Sequence, residues 1–149
     1  MRKFISLLGF LAFALNTAAA TAEPLRFQCG GEFHYSDGEG AGFDGSYKWS
    51  FYLNLDEETG ALVSAPMFPQ PVEMDVSPNH YAARVKGEWC FKPYGPADHK
   101  SYCAVGTRTL QLDRANLSLL FSYTPDEHGK PMGALRGGRC EPIGASPGN

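Results

Sequence analysis

From Leu25 onward, apolar and polar residues alternate with a period of two. Leu25, Phe27, Cys29, Phe33 and Tyr35 fall on one face; Arg26, Gln28, Glu32 and His34 fall on the other. That period places successive side chains on opposite sides of a pleated strand, so a long first strand is predicted, with Gly30-Gly31 as a bulge or bend. The alternation is clearest at Tyr47, Trp49, Phe51, Leu53 and Leu55, set against Lys48, Ser50, Tyr52 and Asn54. Asp56 to Gly60 predicts a turn, because glycine accepts positive φ without steric cost. Ala61 to Phe68 and Val72 to Ser77 predict weaker strands, broken by Pro66, Pro69, Pro71 and Pro78. Proline cannot donate to a ladder, so this part is expected at an edge or as a cover loop. His80 to Phe91 predicts another strand, Pro93 to Lys100 a loop, and Ser101 to Val105 the return.

The strongest local signal is a hairpin over Thr107 to Tyr123. Leu110 and Leu112 share a face of the first arm; Leu117, Leu119, Phe121 and Tyr123 share a face of the second. Asp113 to Asn116 predicts the reversal, with Asn116 suited to the left-handed conformation. Leu53 to Asp56 and Leu110 to Asp113 both read Leu-x-Leu-Asp, one hairpin solution used twice. Thr124 to Pro131 predicts a polar loop and Ala134 to Cys140 a short last strand. About eight short strands, separated by turn signals and without a helix after residue 22, imply an all-β chain. The expected architecture is a single small antiparallel barrel or flattened sandwich.

The N-terminus reads differently. Arg2 and Lys3, the apolar run Phe4 to Leu15, and the small-x-small site Ala20-Thr21-Ala22 predict a secretory signal over residues 1–22. The run is too short to span a bilayer. Cleavage near Ala22 leaves a single β domain over 23–143 and a flexible tail over 144–149, in a periplasmic or secreted location. Subtracting Arg2 and Lys3 from thirteen Lys and Arg leaves eleven against sixteen acids, a formal charge of −5. An acidic chain without a basic cluster speaks against nucleic acid and anionic membranes. All four cysteines lie in the exported part, and an even count in an oxidising compartment predicts two disulfides. Four cysteines allow three pairings. Twelve residues separate Cys90 from Cys103, which suits a bridge between neighbouring strands and leaves Cys29 with Cys140.

Leu110-Gln111-Leu112-Asp113-Arg114, followed by Gly137-Gly138-Arg139-Cys140-Glu141-Pro142, resembles the end of many small exported proteins of Gram-negative bacteria. More remotely, the chain is similar to the periplasmic inhibitors of C-type lysozyme, which are small exported β-barrels with an early and a late cysteine. Their Ser-Gly-x-x-Tyr loop has no counterpart, since Ser46-Tyr47 and Ser101-Tyr102 lack the glycine and the spacing. The resemblance implies a fold; the inhibitory activity does not carry over with it.

Candidate chemistry is sparse. Asp37, Glu39 and Asp44 lie in a glycine-rich loop whose oxygens suit a hard cation such as calcium, but the EF-hand spacing fails. His34, His80, His99 and His128 are scattered, whereas a zinc site usually has at least one close pair. There is no Gly-x-Ser-x-Gly, and the carboxylate pairs Glu57-Glu58 and Asp126-Glu127 sit at turn tips, where solvated charge is expected. Tyr52, opposite its strand's apolar row, and Tyr94, in a proline loop, are candidate binding-surface aromatics. The expectation is therefore a non-enzymatic exported barrel without a cofactor. It is expected to be monomeric and to bind a periplasmic protein or small ligand, with an inhibitor-like role as one version. A small hydrolase or metal-dependent enzyme and a calcium-stabilised structural protein are the alternatives.

Overall fold

The structure is a computed structural model that describes residues 23–36, 45–91, 102–127 and 129–144. Nine strands and no helix occur among them: β1 (Leu25–Tyr35), β2 (Gly45–Asp56), β3 (Ala61–Ser64), β4 (Val72–Glu73), β5 (Asp75–Val76), β6 (His80–Phe91), β7 (Tyr102–Asp113), β8 (Ser118–Pro125) and β9 (Gly133–Pro142). They form one antiparallel sheet in the order β4-β3-β2-β1-β9-β8-β7-β6-β5. The sheet is a nearly closed barrel, which settles the choice between barrel and sandwich.

The seam of the barrel lies at one residue. Val72 and Glu73 pair with β3, while Asp75 and Val76 pair with β6. The chain therefore steps from one edge of the sheet to the other across Met74, whose N–H donates to the Gly60 carbonyl at 2.8 Å. The predicted strand Val72 to Ser77 is thus two short strands serving two partners. The predicted strand Ala61 to Phe68 ends at Ser64, because Pro66 and Pro69 cannot continue a ladder. Ala65 to Pro71 instead loops inward between the adjacent strands β3 and β4, with Phe68 against Phe121 of β8 and a cis bond at Gln70–Pro71.

The two Leu-x-Leu-Asp hairpins use the same turn. The Asp56 Oδ1 accepts the N–H groups of Glu58 and Thr59 at 3.0 and 3.1 Å. The Asp113 Oδ1 accepts those of Ala115 and Asn116 at 2.8 and 3.0 Å. In each turn the fourth residue after the aspartate is left-handed, Gly60 at φ 63° and Leu117 at φ 56°. Leu117, rather than the expected Asn116, takes that conformation, and Asn116 instead accepts the Ser118 N–H through its Oδ1 at 2.8 Å. The steric cost to leucine, about 1–2 kcal/mol, is offset because its side chain packs on the core.

Both disulfides form as paired, Cys29–Cys140 between β1 and β9 and Cys90–Cys103 between β6 and β7. The first is buried in the core and the second lies on the exposed outer face. The predicted irregularity at Gly30-Gly31 is present as a register shift between Gly30 and Glu32 against β9. The extra residue on β9 falls at Gly137-Gly138. A Cβ on Gly138 would stand 2.3 Å from the Leu119 carbonyl oxygen, so only glycine permits that approach.

The ends of the barrel differ. At one end lie the turns Asp56 to Gly60 and Asp113 to Leu117, and there β2, β3, β4, β5 and β6 complete the wall. The core at this end is aliphatic, with Leu53, Leu55, Leu62, Leu110, Leu112 and Leu119 at most 1% exposed. At the other end β3, β4 and β5 are absent. Gly45 to Leu53 of β2 and Ala83 to Phe91 of β6 have no outer neighbour in the sheet among the described residues. The interior there is aromatic.

Candidate functional site

Alternation on β2, β6 and β8 directs Trp49, Trp89 and Phe121 into this open end, as the period of two requires. Phe121 is the hub. Its ring lies 6.0 Å from that of Phe33, 5.4 Å from Trp49, 6.1 Å from Phe68 and 6.5 Å from Trp89, all edge-on or tilted. Trp49 stacks at a tilt on Phe51 at 4.5 Å, and Trp89 meets Tyr123 edge to face at 4.6 Å. Tyr47 touches Phe33 at 5.5 Å, and the Tyr123 hydroxyl donates to the Ala104 carbonyl at 2.6 Å. Phe121 and Phe33 are buried, whereas Trp49 and Trp89 are half-buried, one on each unpaired edge. Among the described residues no strand pairs with the edges that carry these two tryptophans, and the two share a phenylalanine floor.

One charged residue enters this aromatic interior. Arg108 of β7 is 9% exposed and follows the inward row of Leu110 and Leu112. Its guanidinium lies 5.9 Å above the Trp89 ring. One terminal nitrogen donates to the Met67 carbonyl and the other to the Glu88 carbonyl at 3.2 Å. Its Nε is buried without a hydrogen-bond partner. Among the described residues no carboxylate pairs with it. Met67 presents its carbonyl from a left-handed backbone, φ 66°, in the loop between β3 and β4.

Other titratable clusters lie on the surface. The Ser46 hydroxyl donates to Glu32 at 2.7 Å, and His34 Nε2 stands 3.4 Å from the same carboxylate. The Ser46 hydrogen bond, then His34, holds Glu32 below the usual carboxylate range. The carboxylate stands between hydroxyl and imidazole, so the serine proton has no imidazole to go to, and this is not the geometry of a hydrolytic triad. An open hollow of about 650 Å³ beside it is lined by His34, Tyr35, Ser46, Met132 and Arg136. His80 faces Asp75 at 3.7 Å on the far side of the fold. Among the described residues no three His, Cys, Asp or Glu side chains gather as metal ligands.

The residues singled out from sequence are not brought together. Tyr52 stands on the outer wall of β2, 60% exposed. Tyr94, the candidate cation residues Asp37, Glu39 and Asp44, His99, His128, the signal over 1–22 and residues 145–149 of the tail lie outside the described residues. Glu57 is not the free turn-tip charge expected of it. It accepts the Tyr81 hydroxyl and pairs with Arg114 at 2.8 Å, because the turn folds back over β6. Sequence reasoning missed Arg108, although a charge in register with Leu110 and Leu112 is a signal it could have used. Trp49, Trp89 and Phe121 read as ordinary core positions, and only the short reach of β3 and β5 opens the wall beside them.

No family model, curated protein or solved structure matches the chain. Among the described residues no helix is long and apolar enough to cross a membrane.

Proposed function

We propose that the protein is an exported, non-enzymatic β-barrel that binds a ligand in its aromatic open end. The observation that carries this reading is the cluster around Phe121, with half-buried Trp49 and Trp89 on facing unpaired edges. Large apolar rings with few polar groups among them are the usual lining of a small-molecule or side-chain pocket. Two disulfides support residence in an oxidising compartment, in line with a cleaved leader over residues 1–22. An inhibitor-like role is one version, in which the ligand is a side chain or segment of another exported protein. Among the described residues, the serine that donates to a carboxylate, Ser46 on Glu32, has that carboxylate between itself and His34, so a binding role accounts for more of the structure than a hydrolytic one.

The reading is tested with a neutral apolar fluorophore, N-phenyl-1-naphthylamine. Saturable one-site binding with energy transfer from tryptophan is expected, weakened at least tenfold by Trp89→Ala in a protein that keeps its strand content. Absence of saturable binding by the intact protein would sink the proposal.

A further inference from the structure

Arg108 is a buried cation held by two neutral carbonyls. Taking a guanidinium out of water is costly, and buried charges are ordinarily paired with an opposite charge. Glu88 is adjacent but contributes only its main-chain carbonyl; its side chain belongs to the exposed outer row of β6. The second carbonyl comes from Met67, a non-glycine residue in the left-handed region, where backbone energy is stored. The Nε stays buried and unbonded. The guanidinium fork is therefore only partly used, by acceptors weaker than the carboxylate its planar geometry matches.

Among the described residues, the segment that supplies Met67 also lies against the Phe121 cluster. Ala65 to Pro71 leaves β3 where the ladder stops, and Phe68 sets its ring against Phe121. Its far side, Pro69 to Pro71, is exposed. Gln70 donates back to the Ala65 carbonyl at 3.2 Å, so the segment is tied to itself as well as to the barrel.

We propose that Arg108 is the anion-recognising residue of the aromatic site and that its ligand is an apolar aryl carboxylate. This rests on the binding role proposed above and names its ligand class. The ring of the acid packs among Trp89, Phe121 and Tyr123. Its carboxylate replaces the Met67 carbonyl on the guanidinium, and the segment Ala65 to Pro71 moves aside to admit it. The Met67 carbonyl thus occupies, in the free protein, the place of a ligand oxygen. Replacing it gives the guanidinium a full negative charge in an interior of low dielectric constant and relieves the left-handed residue. A neutral ligand of the same shape gains the aromatic contacts alone.

The test compares 2-naphthoate with its neutral isostere 2-naphthamide on the full chain, by displacement of N-phenyl-1-naphthylamine and by direct titration. The acid is expected to bind at least tenfold more tightly than the amide. Arg108→Met is expected to abolish that preference, read by direct titration of acid and amide. In the unaltered protein, the Arg108 Nε–H resonance should move on adding naphthoate and stay in place with naphthamide. This second reading holds even if Arg108→Met fails to fold. Equal binding of acid and amide, or an Nε–H resonance unmoved by saturating naphthoate, overturns the assignment of Arg108. If the fluorophore binds under those results, the binding role survives without the anion site. If neither fluorophore nor naphthoate binds, both fall.

Discussion

The two ends of the barrel are built from the same strands and yet behave as different materials. At the turn-bearing end, short strands complete the wall around six leucines, and the Cys29–Cys140 bridge is sealed inside. At the open end, β2 and β6 run on without outer neighbours among the described residues. Rings replace leucines there, a cation sits under the loop between β3 and β4, and the Cys90–Cys103 bridge faces solvent. The difference separates two tasks. Close-packed aliphatic side chains with satisfied ladders hold the fold. Half-buried aromatics beside edges without a described neighbour bury less surface, at a cost in local stability, and on the proposed reading that surface takes the ligand.

The largest effect expected from this contrast concerns the two bridges. Removing Cys29–Cys140 by paired serine substitutions frees a span of 111 residues. The loss is expected to be about 5 kcal/mol in the loop-entropy description, enough to unfold much of a domain of ordinary stability. Cys90–Cys103 closes a span of 13. Its removal is expected to cost about 3 kcal/mol at most and to leave a folded barrel. Urea unfolding of the two variants checks the order, and a reversed order would break the contrast between the ends.

A smaller effect tests the turns that close the leucine end. Gly60→Ala places a Cβ on a left-handed residue, and about 1 kcal/mol should be lost. Thermal melting should fall by roughly 4 °C. Leu117→Gly removes the same cost at the sister turn, but it also strips an apolar side chain from the core, so its midpoint should move less than that of Gly60→Ala. A larger fall for Leu117→Gly would mean that core contact, not backbone conformation, governs these turns.

A last effect, confined to alkaline solution, is a pH dependence at the same end. Tyr81 is buried, donates to Glu57 and lies under Arg114, whose guanidinium carbon is 4.7 Å from the ring centre. Burial first, then the Glu57 hydrogen bond and charge, pushes its hydroxyl up to about 12. A folded value raised above the unfolded one, about 10 for a free tyrosine, stabilises the protonated form. That stability is complete below the unfolded value and is lost as pH rises through the folded one. Tyr81→Phe should therefore flatten the alkaline fall in stability between roughly pH 10 and 12, measured as the urea midpoint across that range. An unchanged alkaline profile would place the titrating group elsewhere.

Much of the fold was legible because strand alternation is local. His80 to Phe91 followed from period alone; the irregularity expected at Gly30-Gly31 is there as a register shift, but its extra residue belongs to β9. The repeated Leu-x-Leu-Asp announced one turn twice, since an aspartate acting on its own next two or three N–H groups requires nothing from the rest of the chain. The left-handed residue was misassigned to Asn116 because propensity favours asparagine, whereas the packing of Leu117 overrode it. The site was barely legible. Tyr52 faces away from its strand's apolar row, and that places it on the outer wall, on the opposite face of β2 from the aromatic cluster.

The order of residues along the chain determined the all-β character, the number of turns and the face on which each side chain stands, because those depend on contacts a few residues apart. Where β3, β4 and β5 stop relative to β2 and β6 was decided only in three dimensions. So were the step across the seam at Met74 and the placing of the Met67 carbonyl on Arg108. Each of these joins segments that are far apart in the chain. Their pairing depends on how two edges of a twisted sheet meet, a quantity that no local pattern encodes.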